Sequence, residues 1–335
     1  MSKTFIIAEA GINHCGSIKQ AKKLIIEAKR SGADAVKFQS YNTEKLVKET
    51  QELMNYQKIN MGVKQTQYKM LKKCELNYSQ HKILFDFCKK KKIEFISTPY
   101  DIENAKFLVS LGVKSIKVAS TDITNIPFLN NLIKFDKKLI VSTGATSFQD
   151  LKKIFQKIKF KKKKTTILHC ISYYPANNEL LNLRVIKKYE DFFGFNIGFS
   201  DHSLSKIAGA ISVSLGAKVV EKHLTLNKNL PGPDHKASLE PEDFREYVKN
   251  IRDCELMLGD GNRILSPDEE KIKVQMQKSI FTSKSIKKGD VVKKNNLVIM
   301  RPAESLSPIF YEQIIGKKIL KNKKPFSKIK INEFK

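Results

Sequence analysis

Short apolar runs with strand character alternate with helix-patterned segments through the first three-quarters of the chain. This alternation limits the fold more than any single residue does. Strands are expected at Thr4–Ala8, Ala33–Phe38, Ile93–Ser97, Ser115–Val118, Leu139–Val141, Thr165–Leu168, Phe195–Phe199 and Ala217–Val220. Helical spacing fills the intervals, from Ser17 to near Gly32 and at Tyr78–Lys91, Ala105–Leu111, Ile126–Phe135, Phe148–Ile158, 178–190 and Leu204–Leu215, with a closing helix at Glu242–Leu258. Gly112 and Gly216 stand where helices should stop, as C-caps do. Residues 42–66 lack clear periodicity and exceed an ordinary connection, so a lid is expected there.

Parallel strands joined by helices close into a barrel or spread into an open doubly wound sheet. The chain has no GxGxxG and no phosphate-loop lysine motif that would favour the open form. A (β/α)8 TIM barrel takes about 250 residues, and 335 leave room for one small module besides. The expected division is a barrel over 1–260, a linker over 261–277 and a small, mainly β domain over 278–335.

The formal charge of +28 raises the question of nucleic acid. Only six of the basic residues are arginines, and the lysines are spread along the whole chain, which speaks against a dedicated interface. Attraction of anionic substrates is the use expected of the charge, with no nucleic acid and no membrane as partner. No stretch approaches the roughly 20 apolar residues of a membrane span. The five cysteines are odd in number and scattered, the pattern of reduced thiols in a cytoplasmic protein.

Polar residues collect at the carboxyl ends of the strands: Glu9, Lys37, Gln39, Thr98, Lys117, Ser120, Asp122, Ser142, Thr143, His169, Ser200, His202, Glu221 and His223. In a barrel these face one mouth, where such enzymes hold their sites. Taken singly, each reads equally well as a helix cap or a satisfied polar group. Two lysines among hydroxyls suit a small phosphorylated anion. His202 and His223 end successive parallel strands, 21 residues apart, and suit a divalent metal completed by water and substrate oxygens. Two hydrogen-bonded histidines remain the other reading of that pair alone.

The motifs EAGINHCGS, AVKFQ, STP, KVASTD, VSTG, HC…YP, GFSDHS, EKHLTL and PGPDH follow one another in the order of the sialic acid synthase family, which this chain resembles over almost its whole length. That family includes N-acetylneuraminate and N,N'-diacetyllegionaminate synthases, and residues 278–335 resemble its antifreeze-like (SAF) domain. The resemblance implies a transferase that condenses phosphoenolpyruvate with an N-acetylated mannose-type sugar and water. The products are a nine-carbon 2-keto sugar acid and phosphate, released by C–O cleavage.

It further implies His202 and His223 as ligands of manganese, or else magnesium or cobalt. Lys37, Thr98, Lys117, Ser120, Ser142 and Ser200 would hold phosphoenolpyruvate. Glu9, Gln39, Tyr174 and Asp234 would face the sugar, with Glu9 and Asp122 as candidates for proton transfer. Arg301 would reach the acetamido group across a domain-swapped homodimer.

Some positions depart from the family pattern. Asp122 stands where glutamate is frequent, Cys15 where a polar residue follows the histidine, and Ala303-Glu304-Ser305 where glycines are usual. A Schiff-base aldolase using Lys117 or Lys37 and a non-catalytic sugar-binding protein are the rival readings. The acceptor, N-acetylmannosamine or a 2,4-diacetamido-6-deoxy sugar, is left open.

Overall fold

The structure, a computed structural model, describes residues 3–335. It forms two compact units, Met1–Asp260 and Gly261–Lys335. The first carries eight parallel strands: β1 (Phe5–Gly11), β2 (Ala35–Ser40), β3 (Glu94–Pro99), β4 (Ser115–Val118), β5 (Lys138–Ser142), β6 (Thr165–Cys170), β7 (Asn196–Asp201) and β8 (Val219–His223). Their hydrogen-bonded order is β3-β2-β1-β8-β7-β6-β5-β4. With β3 packed beside β4, the ring is nearly closed, as a (β/α)8 TIM barrel requires.

Helices follow in chain order: α1 (Ile18–Arg30), α2 (Thr43–Leu46), α3 (Asn55–Met61), α4 (Gln67–Cys74), α5 (Tyr78–Lys91), α6 (Ile102–Leu111), α7 (Ile126–Lys134), α8 (Phe148–Lys157), α9 (Val185–Phe193), α10 (Ala208–Ser214) and α11 (Pro241–Leu258). Ser17, Asn77 and Ser147 cap α1, α5 and α8 by accepting backbone N–H groups three residues on. Among the described residues no helix is long and apolar enough to cross a membrane.

The period of two along each strand decides what the barrel encloses. One parity, with Ile6, Ala8, Val36, Phe95, Ile116, Val141, Ile167, Phe199 and Val220, packs outward in the main core. The other parity places Ile7, Ala35, Ile96, Ile140, Leu168 and Val219 in a separate inner apolar cluster. Two residues further along those strands come Glu9, Lys37, Thr98, Ser142, Cys170 and Glu221. An apolar inner layer is thus topped by a polar one at the carboxyl ends.

Several boundaries differ from the sequence expectation. Strands β1, β2, β3, β6, β7 and β8 each run past their last apolar residue, because the polar residues that follow are buried and remain in the ladder. The helix expected at 204–215 begins only at Ala208. Asp201 first accepts the Ser203 N–H and Ser205 those of Ile207 and Ala208, so side chains turn the chain before a helix can start. The helix expected at 178–190 is a 3-10 turn followed by α9 from Val185, with Asn182 at φ +40° between them. Residues 42–66, the stretch without clear periodicity, carry α2 and α3, and α4 follows directly.

The second unit has its own core of Ile280, Ile286, Val292, Leu297, Leu306, Ile314, Ile319, Ile329 and Phe334. It holds α12 (Pro267–Met276), the antiparallel pair β9 (Ser279–Thr282) and β10 (Leu297–Met300), and the short α13 (Tyr311–Ile314). Residues 261–277 cluster with this unit, and the Ala303 N–H donates to the Val274 carbonyl at 2.8 Å. Arg301, exposed, directly follows β10.

Candidate active site

The polar layer is tightly wired. The Lys37 ammonium lies 2.8 Å from Glu9 Oε1 and 3.7 Å from Glu221 Oε2, and donates to Thr98 Oγ1 at 3.2 Å. Lys117 lies 3.7 Å from the other Glu221 oxygen and donates to Ser142 Oγ at 2.6 Å and the Val118 carbonyl at 3.0 Å. The Ser200 hydroxyl donates to Glu221 Oε1 at 2.8 Å. Glu221 therefore stands between two lysines that come from β2 and β4. Strand β7 approaches β8 closely enough that a Cβ at Gly198 would meet the Val219 carbonyl oxygen at 2.3 Å, so only glycine fits there.

These groups are buried, and their charges respond to one another. Burial pushes the Glu221 carboxyl up, but Lys117 and Lys37 outweigh it and hold it at about 2. Burial lifts Glu9 to about 7 despite Lys37, so its proton is exchangeable near neutral pH. Lys117 is pushed down by burial, whereas the two carboxylates keep Lys37 above its ordinary value against its own burial. Burial also raises Asp122, whose Oδ1 accepts from Asn125 at 3.2 Å.

Buried side-chain atoms without a hydrogen-bond partner mark where a polar ligand would be welcome. Of the eight such atoms among the described residues, four are at this mouth: Glu9 Oε2, Asp122 Oδ2, Glu221 Oε2 and His223 Nδ1. Surface clefts away from it offer less chemistry. One, of about 650 Å³, lies between Arg184, Lys187, Lys188, Asp191, Phe192 and Leu215.

His202 and His223 meet as the strand order implies, with ring centroids 5.5 Å apart. His202 Nδ1 lies 2.7 Å from the Ile171 carbonyl, and its Nε2 lies 3.5 Å from Ser200 Oγ and 4.0 Å from Cys170 Sγ. Burial holds His223 neutral, and its Nδ1 is the orphaned atom noted above. His202 is instead raised, Cys170 outweighing its burial, so a divalent ion held by the two rings would displace a proton from it. No cluster of three or more His, Cys, Asp or Glu side chains suited to an ion occurs among the described residues. An ion here would therefore draw its remaining ligands from water or substrate oxygens.

The sugar-facing candidates flank this centre. Tyr174 stacks on His202 at 4.0 Å and on Tyr56 of α3 at 5.0 Å. Gln39 Nε2 and Glu9 Oε1 both border Gly11, 3.7 and 3.2 Å from where its Cβ would be. The Ser120 hydroxyl accepts the Gly144 N–H at 2.9 Å. Asp234 is buried in the loop after β8, beside Pro233, whose carbonyl accepts from Asn60 of α3 at 2.6 Å. Arg301 belongs to the second unit.

Sequence reasoning placed Glu221 in the polar ring without seeing that it joins the two lysines. It also passed over Cys170, whose sulfur is 3.7 Å from His202 Nδ1, and Tyr56. Only the approach of distant strands reveals these contacts.

Asp234 yields a stability prediction. Burial lifts its carboxyl from 3.8 to about 6. The folded chain therefore holds a proton that the unfolded chain has lost between those values, and stability falls as pH rises through that window. Asp234→Asn, which cannot ionise, should match the native chain below pH 4 and exceed it at pH 8 by at most about 3 kcal/mol. Urea unfolding at the two pH values checks this; equal stability at both pH values would remove the buried-acid reading.

The chain is similar to known proteins over most of its length. The chain is 40% identical over 97% of its length to the N,N'-diacetyllegionaminic acid synthase of Campylobacter jejuni, covering 98% of that protein. It is 39% identical over 95% of its length to the synthase of the same name from Legionella pneumophila, covering 91% of it. The crystal structure of N-acetylneuraminic acid synthetase from Leptospira borgpetersenii superposes with a TM-score of 0.72 at 32% identity, over 81% of this chain and 90% of that one. Residues 24–263, which hold all the strand-end candidates except Glu9 and Arg301, match the family described as NeuB, and the chain belongs to that family.

Proposed function

We propose that the chain condenses phosphoenolpyruvate with an N-acetylated mannose-type sugar and water, giving a nine-carbon nonulosonic acid and phosphate. The observation that carries this reading is the buried pair of lysines converging on Glu221 among the Thr98, Ser142 and Ser200 hydroxyls. Such a cradle neutralises a phosphorylated carboxylate and donates to its oxygens. A divalent ion on His202 and His223 would supply Lewis-acid polarisation of a carbonyl oxygen.

The chain's own groups do the rest. Lys37 and Lys117 hold the anion, while Gln39, Tyr174 and Asp234 orient the sugar so that C3 of phosphoenolpyruvate faces its aldehyde carbon. Bond formation leaves positive charge at C2, which the Glu9 or Glu221 carboxylate stabilises. The free Asp122 oxygen is placed to orient the water that adds at C2, and Glu9, poised near neutrality, is the better proton carrier. Phosphate then leaves with its bridging oxygen. Run in ¹⁸O-water, the reaction should put label at C2 of the product and none in phosphate; labelled phosphate would overturn this order of events.

Phosphate release from phosphoenolpyruvate under a panel of acetamido sugars tests the reading as a whole. The names of the relatives favour the 2,4-diacetamido-2,4,6-trideoxy sugar over N-acetylmannosamine, and kcat/KM should differ by about tenfold or more. No release with any acceptor would refute synthase activity. The lowering of Lys117 favours one rival, a Schiff-base aldolase. Borohydride with pyruvate would trap an adduct on such an enzyme and none on a synthase.

Residues 278–335 fit the antifreeze-like module of such synthases, with Arg301 reaching the acetamido group of a partner's site in a domain-swapped homodimer. Arg301→Ala chains mixed with His202→Ala chains should then regain partial activity once subunits have exchanged. Inactive heterodimers would tell against reach across the dimer.

A further inference from the structure

We propose that Cys15 and Cys74 form a peroxide-oxidisable thiol pair, with His235 as the base that activates Cys15. Three segments far apart in sequence bring the groups together. Cys15 sits in the loop between β1 and α1, Cys74 is the last residue of α4, and His235 lies in the loop after β8. Gly16 permits the approach: a Cβ there would be 2.4 Å from the Lys73 carbonyl oxygen, so the Cys15 loop lies directly on the end of α4. Gly232 does the same on the other side, its missing Cβ falling 2.7 Å from the His235 ring and 3.2 Å from Cys15 Sγ.

The hydrogen bonds suit one arrangement of the protons. We assign the Thr225 hydroxyl proton to the Asn227 carbonyl at 3.1 Å, so that the hydroxyl accepts from His235 Nδ1, 2.7 Å away. The Nδ1 proton is thereby placed, and Nε2, 3.6 Å from Cys15 Sγ, is left with its lone pair towards the thiol. The alternative acceptor for the Cys15 proton is the Pro231 carbonyl at 3.4 Å.

With the Cys15 loop lying on the end of α4, Cys74 is brought close enough to bear on the Cys15 thiol. Cys74 itself is buried at the carbonyl end of a helix, where negative charge is disfavoured. The two thiols are thus unlike. Cys74 is the main reason Cys15 falls to about 5; His235 and Lys73 add to it, and burial opposes it. Asp234 nearby raises Cys74 further. Cys88 and Cys254 are pushed up by burial, so neither shares this character. Cys15 is also only half-buried and open to a small oxidant.

The chemistry balances with hydrogen peroxide. Cys15 sulfur attacks one peroxide oxygen, the O–O bond breaks, and sulfenic acid and water form. The Cys74 thiol then attacks the sulfenyl sulfur, displacing a second water and leaving a disulfide. Two thiols are oxidised and one peroxide is reduced. The bond would staple residues 42–76, which carry Tyr56 against Tyr174, to the first strand-end loop.

The test uses the full reduced chain with a small excess of hydrogen peroxide. The denatured thiol count should fall from five to three, return with dithiothreitol, and map by non-reducing peptide analysis to a Cys15–Cys74 link. Cys74→Ser should stop at a dimedone-trappable sulfenic acid on Cys15, and Cys15→Ser should keep its four remaining thiols. Near pH 6.5, iodoacetamide should modify Cys15 about tenfold faster than Cys254. His235→Gln should remove part of that advantage. An unchanged thiol count, a link between other cysteines, or Cys15 alkylated no faster than Cys254 would overturn the proposal.

Discussion

Lys222→Met is expected to lower the unfolding free energy of the barrel unit by about 3–5 kcal/mol, the cost of leaving a buried charge without its partner. Lys222 and Asp201 are both 0% exposed and 2.8 Å apart. The ammonium also donates to the Ser203 and Ser205 carbonyls at 2.5 and 3.3 Å and lies 5.0 Å over the Tyr247 ring. The Tyr247 hydroxyl donates to the same Asp201 oxygen at 3.0 Å, and Ser203 to the other. Without the cation, Asp201 keeps three donors, the Tyr247 hydroxyl and the Ser203 hydroxyl and N–H, but no countercharge in its buried setting.

The double change Asp201→Asn with Lys222→Met should recover part of the loss, because it removes both charges. Chemical denaturation of the three proteins checks this. A single mutant within 1 kcal/mol of the native chain would show that the pair is not what secures these strands. Asp201 and Lys222 are paired in register and immediately precede His202 and His223. The same substitution should therefore weaken whatever the two histidines hold.

The outward half of this fold was the part most legible in the sequence. Residues such as Ile6, Val36, Ile116 and Phe199 announce strands because burial on the helix-facing side selects apolar, mostly branched or aromatic side chains. The inner face changes character part-way along each strand, from Ile7 to Glu9, Ile96 to Thr98 and Val219 to Glu221. An apolar run ends there while the ladder continues. Reading strands by hydrophobicity thus stopped them short at the residues that carry the chemistry. The ring of candidates was visible, because the ends of parallel strands in a barrel share one mouth. Its wiring was not. Glu221 gains its meaning from lysines 184 and 104 positions earlier in the chain, and Cys15 from a helix, α4, for which no helical spacing was read. The start of α10 was lost for a different reason: Asp201, Ser203 and Ser205 satisfy backbone donors locally, which no apolar spacing records.

His202→Ala and His223→Ala should each reduce turnover by at least about a thousandfold, the scale expected when a Lewis acid is lost from a carbonyl reaction. The geometry argues for a binding role over a packing one. His202 spends one ring nitrogen on the Ile171 carbonyl, and the other has only long contacts, 3.5 Å to Ser200 Oγ and 4.0 Å to Cys170 Sγ. His223 leaves a buried nitrogen without any partner, an arrangement that is costly unless something is to be bound. Chelation of the native protein should abolish turnover, with manganese, cobalt or magnesium restoring it. Two readouts separate this from simple damage to the fold. Bound manganese measured after desalting should fall in both variants, and the rise in melting temperature on adding manganese should disappear. Tyr174, stacked on His202, offers a control on shape: Tyr174→Phe keeps the ring and should retain the manganese-dependent rise. Full turnover in excess chelator, or histidine variants that bind manganese as the native chain does, would end the metal assignment and leave two imidazoles held by hydrogen bonds and stacking alone.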